Sequence, residues 1–339
     1  MVKSINLVNF RNFKRKAIDF SQKVTIMVGP NASGKTNILE SLYLLSSGKS
    51  FKAQIEEEMV NYGAEIARVK SSNLEIILTR GDNGWSKKKL LVNGVPKRLI
   101  DFAGNFKVVL FGPWDLDLVT ESPSLRRRFL DMVLSQVDRE YRRASLSYEK
   151  GLRQRNRLLF RIREEGLSSG QLLFWNQLLI RNGDYISGKR EELINSINSK
   201  QDLNNTKFEI TYDKSSISEG RLKQYAEEEI AAGTTLVGPH RDDFVFRIQV
   251  NKKETRNLAT YGSRGEQRMG ILWLKLRELA FVEEKTNGKP TLLLDDIFSE
   301  LDHPHRDVVL SVIGNQQTII TTVDEHFVKG FKKVNRIDL

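Results

Sequence analysis

Apolar and polar side chains alternate over the first thirty residues of the chain. Ile5, Leu7 and Phe10, then Ile18 and Phe20, then Val24, Ile26 and Val28 predict three short strands, because successive strand residues face opposite sides. The third strand runs into a glycine-rich turn at Gly29. The period then changes, and Ile38, Leu39, Leu42 and Leu45 predict a helix over about 36–45. Further strands are expected near 66–79, 88–92 and 107–111, and Asn93-Gly94 is a hairpin-turn dipeptide.

The middle of the chain reads differently. Leu130, Leu134, Val137, Tyr141, Ala144, Tyr148 and Leu152 recur at spacings of three and four. A polar loop over 165–170 follows, and then a second stripe of Leu172, Trp175, Leu179, Asn182, Ile186, Leu193 and Ile197. Two long amphipathic helices joined by a short turn predict an antiparallel helical hairpin. Beyond 200 the chain is polar, with one strand expected at 207–212 and one helix at 218–232. Strands at 244–250, 291–295 and 318–322 and a helix at 266–284 complete the pattern. The expectation is an α/β domain in two parts, 1–123 and 236–339, split by a mainly helical arm at 124–235.

Composition narrows the chemistry. The chain has 339 residues and no cysteine, which excludes disulfides, thiol nucleophiles and iron–sulfur clusters. Its four histidines are scattered, so no histidine metal cluster is expected. No secretory signal is legible, and no apolar run approaches the roughly 20 residues needed to cross a bilayer, so a cytoplasmic, nucleoid-associated protein with no membrane partner is expected. The net charge of +11 favours polyanionic partners.

The strongest motif is Gly29-Pro30-Asn31-Ala32-Ser33-Gly34-Lys35-Thr36, which fits the phosphate-binding loop G-x-x-x-x-G-K-[ST] and opens the helix predicted from about Thr36; its residues and Asn37 are the candidate nucleotide contacts. Its glycines let backbone N–H groups wrap phosphates; Lys35 is expected to reach the β- and γ-phosphates and Thr36 to ligate Mg²⁺. Such a site needs a carboxylate at the end of a buried strand, and Leu292-Leu293-Leu294-Asp295-Asp296 supplies it. Asp295 is expected to hold Mg²⁺ and Asp296 to polarise the attacking water. Lys35 and Asp295 lie 260 residues apart, far more than in a compact kinase or small GTPase. A third element, Tyr261-Gly262-Ser263-Arg264-Gly265-Glu266-Gln267, has two readings. Ser-x-x-Glu is a capping box; S-x-G-x-Q is a helix start that presents a hydroxyl and N–H groups to an anion.

In this order the three motifs resemble the ABC ATPase head, and the helical insert resembles its SMC-like branch. The runs Asn9-Phe10-Arg11-Asn12-Phe13, Gly34 to Glu40, Arg126 to Asp131, Gly238-Pro239-His240-Arg241-Asp242-Asp243 and Leu294 to Asp302 resemble the RecF family of bacterial recombinational repair proteins. The resemblance implies an ATP-dependent homodimer in which Ser263, Gly265 and Gln267 of one subunit face the ATP of the other and Ser299 to Asp302 cross the interface. It implies a weak, DNA-stimulated ATPase acting on duplex or gapped DNA. RecO and RecR are the implied partners, with RecA loading and replication restart as the outcome. The chain departs from the wider pattern at Asp296, where ABC ATPases carry Glu, and after the last strand, where Thr321-Thr322-Val323-Asp324 stands in place of a switch histidine. Thr322 and Asp324 are candidate γ-phosphate sensors there, and His326 is too distant to assign. Phe111 to Leu116 is the expected Q-loop equivalent, with Trp114 replacing an acid and Asp115 as its candidate. Residues 48–52 are less basic than in the family.

The segment 126–163 carries twelve basic residues and four acidic ones, a net of +8. Arg139, Arg142, Arg143, Lys150, Arg153 and Arg157 recur at helical spacings and are the candidate DNA contacts; the competing reading is a solvated helix face laced with i,i+4 ion pairs. Other readings of the whole chain are a small-molecule phosphotransferase, an ATPase subunit regulating a partner nuclease, and a structural SMC-like linker.

Overall fold

The computed structural model describes residues 1–81, 87–199, 202–203, 206–251, 254–299, 303–323 and 334–339. The strands, in chain order, are β1 (Ser4–Phe10), β2 (Phe13–Asp19), β3 (Val24–Val28), β4 (Ile66–Ser71), β5 (Leu74–Thr79), β6 (Lys87–Val92), β7 (Val95–Lys97), β8 (Val108–Phe111), β9 (Asp202–Leu203), β10 (Thr206–Asp213), β11 (Asp243–Asn251), β12 (Glu254–Asn257), β13 (Thr291–Asp295), β14 (Thr318–Thr322) and β15 (Asn335–Asp338). The chain folds as two compact units, residues 1–115 with 278–339, and residues 116–277.

The first unit has two sheets. One is antiparallel, in the order β2-β1-β4-β5-β6-β7, and its strands alternate buried and outward positions as the sequence pattern requires. The other is parallel, in the order β15-β3-β14-β13-β8. Every residue of β3, β8, β13 and β14 is buried, so these strands carry apolar and threonine side chains on both faces instead of alternating with charged ones, Asp295 at the end of β13 excepted. The helix Lys35–Ser47 packs on strands of both sheets, so Ile38 through Ser46 are all buried. This is an α/β head, as the pattern led us to expect.

The second unit joins the sheet β12-β11-β10-β9 to the helices Pro123–Val137, Arg139–Glu165 and Leu173–Asn198. The last two form the expected antiparallel hairpin. The stripe read as continuous from Leu130 to Leu152 is interrupted at Asp138, which is extended and caps the second helix by accepting from Tyr141 N at 2.9 Å. The helix expected at 218–232 is two, Glu219–Gln224 and Ala226–Ala232. Residues 236–277 cluster with the arm rather than the head, because β10 and β11 pair along their lengths and Arg126 reaches Asp243 at 2.6 Å.

The arm's interior is held by buried charge. Arg190 donates to Asp131 at 2.7 Å, Asp242 at 2.8 Å and the Pro239 carbonyl at 2.6 Å. Arg155 donates to Glu229 at 2.7 Å and Thr235 at 2.8 Å. The motif Gly238 to Asp243 is thus a structural knot. Arg126 and Arg127, counted in the basic segment, are spent on it, and Arg155 is spent on Glu229 and Thr235.

Candidate nucleotide-binding site

The phosphate-binding loop joins β3 to the helix Lys35–Ser47. Its shape depends on Gly34, whose φ of +103° favours glycine and whose absent Cβ would lie 2.4 Å from Phe13 Cζ. Asn12, in the turn between β1 and β2, and Phe13, the first residue of β2, therefore lie directly over the loop, and Asn37 Nδ2 donates to Asn12 Oδ1 at 2.9 Å. That turn is anchored in its own right. Arg11, at φ +51°, grips the fully buried Glu40 carboxylate with two hydrogen bonds of 2.8 and 2.6 Å, and Ser50 Oγ donates to the same carboxylate. The first helical turn carries no acidic residue, so its N–H groups face no competing charge.

Lys35 Nζ donates to the carbonyls of Gly29 at 2.7 Å and Pro30 at 2.9 Å. Burial lowers its pKa, opposed by Asp296 and Asp295. Ser33 Oγ is buried without a hydrogen-bond partner, and Ala32 takes a left-handed φ of +66°. Asn31 and Ala32 are exposed at the loop tip.

The acid pair ends β13. Thr36 Oγ1 donates to Asp295 Oδ2 at 2.8 Å, across 259 residues of sequence. Thr321 Oγ1, from the adjacent strand β14, donates to the other oxygen, Asp295 Oδ1, at 2.5 Å. Asp296 has φ +49°, a left-handed conformation that Asp tolerates better than most residues. Its N–H donates to Thr321 Oγ1 at 3.0 Å and to the Thr321 carbonyl at 3.2 Å. Thr322 is buried at the end of β14. Beyond β8, Asp115 is buried and accepts from Gly112 N at 2.8 Å, while Trp114 stacks on Phe51 at 4.8 Å. Glu300, Leu301, Asp302, Asp324 and His326 lie outside the described residues.

In the second unit, the helix Arg264–Thr286 begins at the S-x-G-x-Q motif. Ser263 N donates to Glu266 Oε2 at 2.7 Å and Glu266 N donates to Ser263 Oγ at 3.3 Å, a reciprocal capping box. Gln267 is buried and its amide donates to the carbonyls of Leu258, Ala259 and Gly262, so it shapes the turn. Ser263 and Gly265 are exposed, and a Cβ on Gly265 would meet only Ser263 Oγ, at 4.0 Å. Along the arm, Arg142 donates to the Ser135 carbonyl at 2.5 Å, Arg143 pairs with Glu140 and Arg153 with Glu149. Arg139 is exposed, as are Lys150 and Arg157, which have no carboxylate partner among the described residues.

Residues 1–98 match the family described as RecF/RecN/SMC N terminal domain. The chain is 38% identical to the DNA replication and repair protein RecF of Lachnoclostridium phytofermentans, over 99% of this chain and 97% of that protein. The chain belongs to the RecF family. A RecF from Agathobacter rectalis is 34% identical, over 99% and 96% of the two chains. A solved structure described as the recombination mediator protein RecF-ATP in the RecFOR pathway is 34% identical, with a TM-score of 0.85 and coverage of 96% of this chain and 92% of that one. An SMC head from Pyrococcus furiosus, bound to the C-terminal domain of ScpA, is 16% identical with a TM-score of 0.52 over 98% and 92%, a likeness of fold alone.

Membership of the RecF family accounts for the ABC-type head split by an arm. The sequence assigns no contact to three features beside the loop: Thr321, whose hydroxyl touches both acids, and, within the runs that carry the family resemblance, the pair Arg11–Glu40 and Asn12 over the loop. Thr321 was in view only as a departure from the switch histidine. The strand register that turns it towards Asp295 is not legible in one sequence.

Proposed function

We propose that this RecF-family chain is an ATP-binding recombinational repair protein whose ATP-bound homodimer clamps duplex or gapped DNA and releases it on slow, DNA-stimulated hydrolysis. The observation that carries the reading is the meeting of Thr36 and Asp295 beside Lys35. The residues fit a Mg²⁺–nucleotide: a hydroxyl and a carboxylate oxygen converge at 2.8 Å, the donor chemistry of a hard divalent cation, and the buried Ser33 hydroxyl awaits an acceptor. In this reading the N–H groups of residues 31–37 cradle the phosphates, with Gly29 and Pro30 shaping the entry to the loop, and Lys35 exchanges its two carbonyl partners for phosphate oxygens. Thr36 and Asp295 would hold Mg²⁺, which would supply positive charge against the phosphate oxygens. Asp296 orients the attacking water. Ser263 and Gly265, on an exposed helix start, serve the partner subunit's nucleotide, while Gln267 holds the turn beneath them. The arm offers Lys150 and Arg157 to DNA first, with Arg139, Arg142, Arg143 and Arg153 beside them. The reading includes a cytoplasmic setting, RecO and RecR as partners, and RecA loading as the outcome.

The test is the mass in solution with and without ATP and Mg²⁺, for the wild type, Lys35→Met and Asp296→Asn. An ATP-dependent dimer is expected, lost in Lys35→Met and persistent in Asp296→Asn. A monomer under every condition would refute the clamp.

A further inference from the structure

The antiparallel sheet of the first unit has one face turned inward, lined by Ile5, Leu7, Ala67, Val69, Leu74, Ile76, Leu78 and Leu90. The opposite face has no counterpart in the nucleotide site. Strand register orders it. One row across five strands reads Arg15, Val8, Arg68, Ile77, Lys89, each residue paired with the next. The next row reads Ala17, Asn6, Lys70, Glu75, Leu91, and a third reads Ile66, Thr79, Lys87. Arg15, Arg68, Lys70, Lys87 and Lys89 are all exposed, and the carboxylates on this face are Glu75 and Asp19. Glu75 is engaged by Arg68 at 3.1 Å, and among the described residues Arg15, Lys70, Lys87 and Lys89 have no carboxylate partner.

We propose that this outward sheet face is a second nucleic-acid contact surface, gripping the phosphate backbone without reading bases. Cations on alternate strands stand roughly 10 Å apart, and residues two apart on one strand roughly 7 Å. Val8 and Ile77 separate them as low apolar spacers. Cations spread over three strands at these spacings suit an extended polyanion better than a single small anion. Five cations against two carboxylates is also an imbalance that a merely solvated face, with signs interspersed, does not need. The proposal rests on the DNA-binding reading above and adds a site apart from the arm.

The test compares wild type with the four-fold variant Arg15→Gln/Lys70→Gln/Lys87→Gln/Lys89→Gln, and separately with Lys150→Gln/Arg157→Gln on the arm. Affinity for a gapped duplex is measured with ATP over a range of salt. Loss of four phosphate contacts should lower the slope of log K against log salt by about 3 to 4. Independently, duplex should protect Lys70, Lys87 and Lys89 of the wild type from lysine acylation. Wild-type binding with an unchanged slope in the sheet variant and no protection would overturn the proposal, including the case in which an acidic polypeptide protects the lysines and DNA does not. A wild type without salt-sensitive DNA binding would instead bring down the DNA reading itself, and this proposal with it.

Discussion

Replacing Thr321 by Val removes one hydroxyl at nearly constant volume, from a side chain with no exposed surface. That hydroxyl makes two short contacts, donating to Asp295 Oδ1 at 2.5 Å and accepting from Asp296 N at 3.0 Å, with the Leu294 carbonyl farther off at 3.5 Å. The second is partly redundant, since the same N–H reaches the Thr321 carbonyl at 3.2 Å. The first is a bond to a charged group, worth about 1.5–3 kcal/mol. Thr36 and the loop are untouched, so nucleotide affinity should stay within about threefold. On the roles proposed for Asp295 and Asp296, hydrolysis needs both acids held in place, and the lost bond then corresponds to roughly a 10- to 150-fold fall in turnover. Single-turnover ATP hydrolysis and a nucleotide-binding titration separate the two quantities, and Thr321→Ser should restore the rate. Turnover of Thr321→Val within twofold of wild type would refute the idea that β14 aims the acids.

Arg155→Ala should destabilise the arm by about 3–5 kcal/mol, because it leaves the fully buried Glu229 without its cation; Arg155→Leu/Glu229→Leu should regain most of the loss in thermal unfolding. His240 accepts from Tyr148 at 2.9 Å, faces the Thr235 carbonyl at 3.0 Å, and is pushed by burial down to about 4. An unfolded histidine protonates near pH 6.5, so arm stability should be complete above that pH and fall as pH drops from 6.5 towards 4, by about 3 kcal/mol; His240→Gln should flatten this slope in acid-unfolding curves. Gly34→Ala forces a side chain into a left-handed backbone and against Phe13, and should weaken ATP binding at least tenfold in a titration while far-UV circular dichroism stays unchanged.

The phosphate loop, the acid strand and the helical hairpin were legible because each is written in adjacent residues: glycines where φ turns positive, an apolar run where both sheet faces are covered, a stripe at helical period. The break at Asp138 leaves no mark in the sequence, because a side chain that caps one helix and one that decorates a longer one look alike there. The arm arginines divide by burial rather than by type: Arg155 and Arg157 are two residues apart, yet one is locked on Glu229 and the other exposed. Likewise Ser263 and Gln267 belong to one motif, but the first is exposed and the second is consumed by the turn. Long-range pairing decides these cases, and local pattern carries no trace of it.

The head unit is assembled from the two ends of the chain, with Val2 and Gln317 exchanging hydrogen bonds and β15 lying against β3. This has a consequence in time. At about 5–20 residues per second, the ribosome delivers Asp295 roughly 13–50 s after Thr36. Throughout that interval β3 has neither parallel neighbour and its apolar residues have no sheet to join, while residues 116–277 emerge and are complete enough to fold first. A nascent chain of this kind should therefore depend on shielding of the segment that carries β3, and it gains the ability to hold a nucleotide only once β13 and β14 have been made.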